Sequence, residues 1–149
     1  MSNDLISSDR PFSGPESERL HALLDTIVPA SEDGAMPSAA SVDFDSYLAG
    51  EGASSIPLVQ SMLARLDAGF AEASASVRHA ILVELERDNP TDFSALVFHV
   101  YNCYYQNRRV REAIGVVPGA LFPNGATIEA NDLSLLDPVL AGSHQYRRA

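Results

Sequence analysis

One histidine and the only cysteine of the chain occupy positions that could support metal or nucleophilic chemistry. His99 and Cys103 are four residues apart in an apolar segment, so a helix would place both on one face. They could supply two ligands to a metal ion, or they could form a thiol–imidazole pair. A structural zinc site needs four ligands, no second His/Cys pair completes one, and no cation closely flanks Cys103. We therefore expect Cys103 to be a small packed thiol at the edge of the core.

The other candidates for chemistry are weaker. His21 precedes Asp25 by one helical turn, and we expect a solvated pair on the polar side of a helix. The segment Gly50-Glu51-Gly52 resembles the start of a phosphate-binding loop, but no strand precedes it and the third glycine is missing. No Walker motif, nucleophile elbow or zinc-protease motif occurs, and the carboxylates are scattered. The sequence thus predicts no catalytic residue, no cofactor-binding residue and no metal ligand in this chain.

The helix predicted to start at Thr91 has an unusually wide apolar arc. Its core stripe consists of Phe93, Leu96, Val97, Val100, Tyr101 and Tyr104. A second set lies on an adjacent face at i, i+3, i+7 and consists of Phe98, Tyr101 and Tyr105. A helix at the surface of a domain needs only one such stripe. This helix is therefore either central to a bundle or packed against a partner.

A basic cluster follows these aromatic residues. Arg108, Arg109 and Arg111 stand together in a chain whose net charge is −10. Tyrosine and arginine dominate the energetic centres of protein interfaces, which favours a surface for a partner. Cations near the C-terminus of a helix are also favourable for purely local reasons. Both interpretations stay open at this point.

The last third of the chain is apolar without a period. Residues 116–149 contain Pro118-Gly119 and Asn124-Gly125 turns and show neither helical nor strand spacing. A structureless segment of this length is uncommon inside a compact domain, so it must cover its own helices or a partner. We predict a partner interface, with the arm folding back on its own bundle as the alternative. The predicted interface residues are Phe98, Tyr101, Tyr105, Arg108, Arg109, Leu121, Phe122, Leu133, Leu135 and Leu136.

Most of the remaining chain has helical spacing. Ser13 and Glu16 suggest a capping box for a first helix that Pro29 ends, and Gly50 closes a short second one. Ser54 or Ser55 would cap a third helix with Pro57 in its first turn, and a sixth would span residues 108–114 and end at Gly115. The predicted inward faces of the third and fourth helices are Val59, Met62, Leu63, Leu66 and Phe70, then Val77, Ile81, Leu82 and Leu85.

The fold class predicted from these elements is all-α. We expect a small irregular bundle of five or six helices with a long, mostly non-regular C-terminal arm. Residues 1–12 would form a polar N-terminal arm, and residues 13–149 a single helical domain that includes the C-terminal arm, 116–149.

Composition narrows the possible partners and the compartment. A chain of 149 residues that is 46% hydrophobic and 20% charged can build one globular core. Its net charge of −10 repels phosphate backbones and anionic lipid, so we expect no nucleic acid partner. No apolar run reaches the length that spans a bilayer, and we expect no direct membrane insertion. The first residues lack the pattern of a signal peptide, which predicts a cytoplasmic protein unless a leader was removed.

Several segments resemble one protein family. Residues 20–29, then Asp33-Gly34-Ala35, then residues 39–44 are similar to the opening of gluconate 2-dehydrogenase subunit 3 proteins. The aromatic helix at 101–105 and the segment 132–139 resemble the later part of that family. Val110, Gly115, the Pro118-Gly119 turn and Tyr146-Arg147 are similar as well. The resemblance covers roughly residues 18–147, and it is carried by apolar and turn residues.

The resemblance implies an accessory role. Subunits of this family accompany large flavin-dependent sugar and polyol dehydrogenases of the glucose–methanol–choline type, in which the large subunit carries FAD and the chemistry. This chain would be the non-catalytic small subunit of such a hetero-oligomer. Family members often carry a twin-arginine leader, which this sequence lacks, so a cytoplasmic complex is expected. The alternative is a stand-alone helical protein, either a homo-oligomer or an enzyme with a site around His99, Cys103 and Arg108.

Overall fold

The computed structural model describes residues 11–12, 14–116 and 133–142, with two compact units, Met1–Pro118 and Gly119–Ala149. Within the described residues the regular structure is helical and no strand occurs, so the all-α prediction is confirmed. In the described ranges, six α-helices belong to the first unit and one short helix to the second. The α-helices are α1 (Pro15–Ile27), α2 (Phe44–Ala49), α3 (Ile56–Ala64), α4 (Ala75–Asp88), α5 (Pro90–Gln106), α6 (Arg108–Ala113) and α7 (Asp137–Ala141).

Proline, asparagine and glycine fix most helix ends of the first unit. Pro15 lies in the first turn of α1, where its missing N–H costs no hydrogen bond. The N-cap of α1 is Gly14 at φ 54°, and Ser13, on which the predicted capping box depends, lies outside the described residues. Asn107 caps α6 by accepting from two backbone N–H groups. Gly115, at φ 76°, follows the C-cap of α6 as the sequence predicted.

The third helix is shorter than its apolar stripe. It ends at Ala64, and the stripe continues into a turn and a 3-10 segment, Ala68–Phe70. Leu66 and Phe70 are nevertheless buried as predicted. Ser55 is the N-cap residue, but its hydroxyl donates to the Gly52 carbonyl oxygen at 2.6 Å and caps nothing.

The core of the first unit is built around α5. This helix packs against α2, α3, α4 and α6, which makes it central to the bundle. Leu96, Val100 and Tyr104 face inward and are almost fully buried. The buried apolar residues are Phe12, Leu20, Ala22, Leu23, Leu24, Ala39, Val42, Phe44, Leu48, Val59, Met62, Leu63, Leu66, Phe70, Leu82, Leu85, Leu96, Val100, Cys103, Tyr104 and Val110. Phe12 shows that the core reaches into the segment predicted to be a polar arm.

One long-range hydrogen bond ties the loop after α1 to this core. The hydroxyl of Tyr104 donates to the carbonyl oxygen of Pro37 at 2.7 Å, and both residues are buried. The same loop turns at Asp33-Gly34, with Gly34 at φ 71° and its N–H donating to the Ser31 carbonyl oxygen. The buried hydroxyl of Tyr104 has a hydrogen-bond partner, as buried hydroxyls usually do, because an unpaired polar group is costly in a core.

The predicted inward face of α4 is partly wrong. Leu82 and Leu85 are buried and Ile81 is half-buried, but Val77 is 49% exposed. Val77 lies in the first turn of α4, which borders an open groove whose other wall is the end of α3. No described element covers that turn, so helical spacing alone misplaced the residue.

The second unit contains a short helical segment. Leu133–Leu136 form a 3-10 turn that leads into α7, so this part of the predicted non-regular arm is regular. The side chains of Leu136, Val139 and Leu140 are exposed. In the part of the chain that the structure describes, no helix combines the length and apolarity needed to cross a bilayer.

Candidate interaction surface

The structure places His99 and Cys103 on the same side of α5, but each is engaged elsewhere. The Nδ1 atom of His99 is hydrogen-bonded to the Tyr47 hydroxyl at 2.8 Å. The Cys103 thiol donates to the backbone carbonyl of Asp43 at 3.8 Å. Among the described residues no three His, Cys, Asp or Glu side chains are grouped so as to hold a metal ion. These contacts tie α5 to α2 and its N-cap.

Burial also makes Cys103 a poor nucleophile. It raises the pKa of the thiol from 9.0 to about 11, and the nearby Asp43 carboxylate acts in the same direction. A nucleophilic cysteine needs the opposite, a thiolate favoured by a cation or a helix N-terminus. At neutral pH the thiol is therefore protonated, and it is a packed residue as the sequence predicted.

The Gly50-Glu51-Gly52 segment is explained by packing. The N–H of Gly52 donates to the Tyr47 carbonyl oxygen at 2.8 Å, and the residue is buried under the Tyr47 ring. A Cβ atom built on Gly52 would lie 2.3 Å from the Cε1 atom of that ring. Glycine is thus required for the close approach of Tyr47. A phosphate group would need the space that the tyrosine ring fills.

The predicted pairing of His21 with Asp25 is replaced by other partners of the carboxylate. Asp25 accepts a hydrogen bond from Ser38 at 2.8 Å and an ion pair from Arg78 at 3.3 Å. His21 lies on the exposed side of α1. Arg78 is 53 positions further along the chain, and no local spacing could have indicated this contact.

Three aromatic side chains on the outer face of α5 are exposed. Phe98 is 61% exposed, Tyr105 50% and Tyr101 45%, and we call these three residues the aromatic ridge. The rings of Tyr101 and Tyr105 meet edge to face at 6.0 Å, an arrangement that aromatic pairs favour. Tyr101 was predicted in both apolar faces, and its exposure assigns it to the outer one. The inner face of α5 meets the core, while about half or more of each ridge side chain except Tyr101, and 45% of Tyr101, is exposed.

A cleft lined by both apolar and polar side chains adjoins the ridge at Tyr101. It has a volume of about 280 Å³ and lies between α1, α4 and α5. Val83, exposed on α4, is one of its walls. The lining residues are Thr26, Ile27, His79, Leu82, Val83, Glu86, Phe93, Val97 and Tyr101. Ridge and cleft together form an exposed surface with an aromatic projection and a depression of mixed polarity.

The predicted arginines lie beyond the C-terminal end of the ridge. The Arg108 side chain is 82% exposed and pairs with Glu112 at 2.7 Å, one turn along α6. Arg109 is exposed, and its backbone N–H is bonded by the Asn107 cap. Ile114 and Val116, at the end of α6, add exposed apolar area to the same helix. The structure therefore brings Phe98, Tyr101, Tyr105, Arg108 and Arg109 onto consecutive helices.

The other predicted interface residues are not joined to this group. Leu121 and Phe122 lie outside the described residues. Leu133 and Leu135 are described only as part of the 3-10 turn, and Leu136 is exposed in the second unit. Their assignment to an interface stays a prediction.

Sequence reasoning missed the cleft, since three helices contribute its walls. Val83 gave the one available signal, as a valine on the polar side of the fourth predicted helix. Ile27 and Val97, which line the cleft together with Val83, were assigned to the core stripes of other helices. Whether these three residues meet in one cleft depends on how their helices pack. Periodicity within one helix cannot supply that information.

Comparison with known proteins adds no relative. Neither the family models, nor the curated proteins, nor the solved structures contain a match to this chain. The resemblance to gluconate 2-dehydrogenase subunit 3 proteins stays a prediction, since it depends on the quoted segments alone.

Proposed function

We propose that this chain is a non-catalytic accessory subunit that binds and stabilises a large flavoprotein in the cytoplasm. The partner would be an FAD-dependent sugar or polyol oxidoreductase of the glucose–methanol–choline type. FAD and the oxidation chemistry would belong to that partner. The chain described here would contribute a docking surface.

The observation that carries this proposal is the aromatic ridge. Three large aromatic side chains at i, i+3 and i+7 of the central helix are exposed, and one of them, Tyr101, lines a cleft between α1, α4 and α5. Monomeric proteins rarely leave such apolar surface uncovered, and it usually marks a binding site. Tyrosine, together with nearby arginine, is the composition most often found at the energetic centre of an interface.

The chemistry of the interior supports a binding role over a catalytic one. The Cys103 thiol, whose pKa is raised, donates to the Asp43 carbonyl oxygen. His99 is hydrogen-bonded to the Tyr47 hydroxyl. Both side chains are therefore engaged in packing contacts. The cleft that Cys103 lines includes neither His99 nor Arg108. The identity of the partner is supported only by the resemblance.

The proposal predicts that a large flavoprotein is encoded beside this gene, and co-expression with that flavoprotein tests it. We expect the two chains to elute together in size exclusion, with the flavin absorbance in the shared peak. We expect the flavoprotein expressed alone to give less soluble, flavin-loaded protein. The proposal fails if the flavoprotein is equally soluble alone and the two chains elute separately at micromolar concentration.

A further inference from the structure

A row of ring contacts connects the aromatic ridge to the interior of the first unit. Phe44, which is buried, stacks on Tyr47 with the ring centroids 5.6 Å apart. The Tyr47 ring lies 6.1 Å from the ring of His99, and His99 meets Phe98 edge to face at 5.6 Å. The first two rings belong to α2 and the last two to α5. Phe98, the most exposed member of the ridge, is therefore the outer end of a row that begins in the core.

The position of the Tyr47 side chain is fixed from two sides. Gly52 lies so close beneath the ring that the structure leaves no room there for a Cβ atom. At the other end of the side chain, the Tyr47 hydroxyl lies 2.8 Å from Nδ1 of His99, which is 52 positions away in the sequence. Packing at the ring and a hydrogen bond at its tip leave this side chain little freedom to rotate.

The surroundings of the Tyr47 hydroxyl decide which atom of this hydrogen bond carries the proton. Desolvation by burial raises the pKa of Tyr47, so the hydroxyl keeps its proton at neutral pH. The side-chain amide of Asn102 acts on the same pKa in the opposite direction, as a donor to the phenolic oxygen does. An oxygen that accepts from Asn102 has its own hydrogen left to donate to Nδ1. His99 is then neutral, with its ring hydrogen on Nε2.

We infer that Tyr47 and His99 are positioning residues for the ridge: the hydroxyl of Tyr47 holds the imidazole of His99, and the held imidazole orients the ring of Phe98. An exposed side chain on a helix exchanges between χ1 rotamers unless a neighbour restricts it. Within the ridge, Tyr101 and Tyr105 restrict each other through their edge-to-face contact. For Phe98 the corresponding neighbour is His99.

This inference goes beyond the proposed function. It concerns the shape of the ridge in the free chain and holds whatever molecule the ridge binds. It also gives α2 a role at a surface formed by α5, because Tyr47 acts on Phe98 only through His99. A substitution at Tyr47 should consequently change the ridge from the other side of the hydrogen bond.

NMR on the full wild-type chain tests the inference without a binding partner. At about pH 8.5, above the ordinary titration range of histidine, we expect the nitrogen-15 shifts of His99 to show hydrogen on Nε2 and none on Nδ1. We expect the three-bond couplings of Phe98 to show one dominant χ1 rotamer. Hydrogen on Nδ1 of His99, or averaged couplings for Phe98, would overturn the inference.

Tyr47→Phe removes the hydroxyl and keeps the ring. We expect this variant to shift the Nδ1 resonance of His99 and to convert the Phe98 couplings to averaged values. Tyr104→Phe is the matched control, because it removes another hydrogen-bonding hydroxyl, one that donates to the carbonyl oxygen of Pro37. The control should leave His99 and Phe98 unchanged. Phe98 couplings that are unaltered in Tyr47→Phe, or altered equally in Tyr104→Phe, would refute the positioning role.

Discussion

Cys103 illustrates how the environment of one residue decides its chemistry. Its spacing from His99 fits a metal site or a nucleophilic pair, and the structure gives both residues backbone or tyrosine partners instead. The thiol is buried between α5 and the N-cap of α2. A chemically reactive residue type has here become part of the packing.

The first prediction concerns the reactivity of this thiol. With a pKa of about 11 in place of 9.0, the thiolate fraction near pH 8 is about 100-fold lower than in the unfolded chain. We expect Ellman's reagent to modify native Cys103 at least that much more slowly than the urea-unfolded protein. Equal rates in the two states would show that the thiol is accessible and ionised.

The same shift has a consequence for stability. Between pH 9 and pH 11 the native state holds the thiol proton and the unfolded state loses it. The contribution of the protonated Cys103 thiol to the free energy of unfolding is therefore complete below pH 9 and is lost as the pH rises toward 11. We expect the urea midpoint to fall over this range, and to fall less in Cys103→Ala. If the urea midpoint falls equally steeply with pH in the wild type and in Cys103→Ala, the raised pKa of this thiol is contradicted.

Gly52 is the residue whose substitution the structure restricts most clearly. Gly52→Ala would place a methyl carbon 2.3 Å from the Tyr47 ring, and overpacking of this kind costs roughly 1–3 kcal/mol. Gly69→Ala is the matched control, because no atom lies within 4 Å of its added Cβ. We expect the control to change the free energy of unfolding by less than about 0.5 kcal/mol. Equal urea midpoints for the two variants would show that Tyr47 moves aside freely.

At the scale of elements, α5 carries two different faces. Val100 lies on the buried face and Phe98 on the exposed one. We expect Val100→Ala to lower the free energy of unfolding by about 2 kcal/mol, and Leu24→Ala on α1 by roughly 2–4 kcal/mol, because each leaves a cavity. Phe98→Ala should change it by less than about 0.5 kcal/mol. A large loss of stability in Phe98→Ala, measured by urea unfolding, would mean that the ridge is covered within the chain.

The elements also show what the sequence can predict. Helical spacing located α1, α3, α4, α5 and α6, and the ends set by Gly50 and Gly115 were correct. It failed at Val77, because exposure at a helix end depends on which neighbour is present. Helical spacing also did not predict the cleft, because the walls of the cleft come from three helices. The ridge was predictable because its three residues share one helix and exceed what one core face needs.

At the scale of the molecule, the described core belongs to the first unit. Every apolar residue that the structure describes as buried lies between Phe12 and Val110. We therefore expect a chain ending at Pro118 to fold alone, with a cooperative thermal transition and a helical circular dichroism spectrum. Aggregation or a non-cooperative melt of this truncated chain would show that residues 119–149 complete the core, which was the alternative for the C-terminal arm.

The affinity of the full chain for the co-expressed flavoprotein tests the central claim, that the ridge is the docking surface. Tyr101→Ala removes the ring shared by ridge and cleft, and Val77→Ala removes a similarly exposed apolar side chain at the groove between α3 and α4. Titration calorimetry should give a dissociation constant at least about tenfold higher for Tyr101→Ala, as expected for an aromatic anchor. It should give an unchanged value for Val77→Ala. A Tyr101→Ala variant that binds as tightly as wild type would contradict the account.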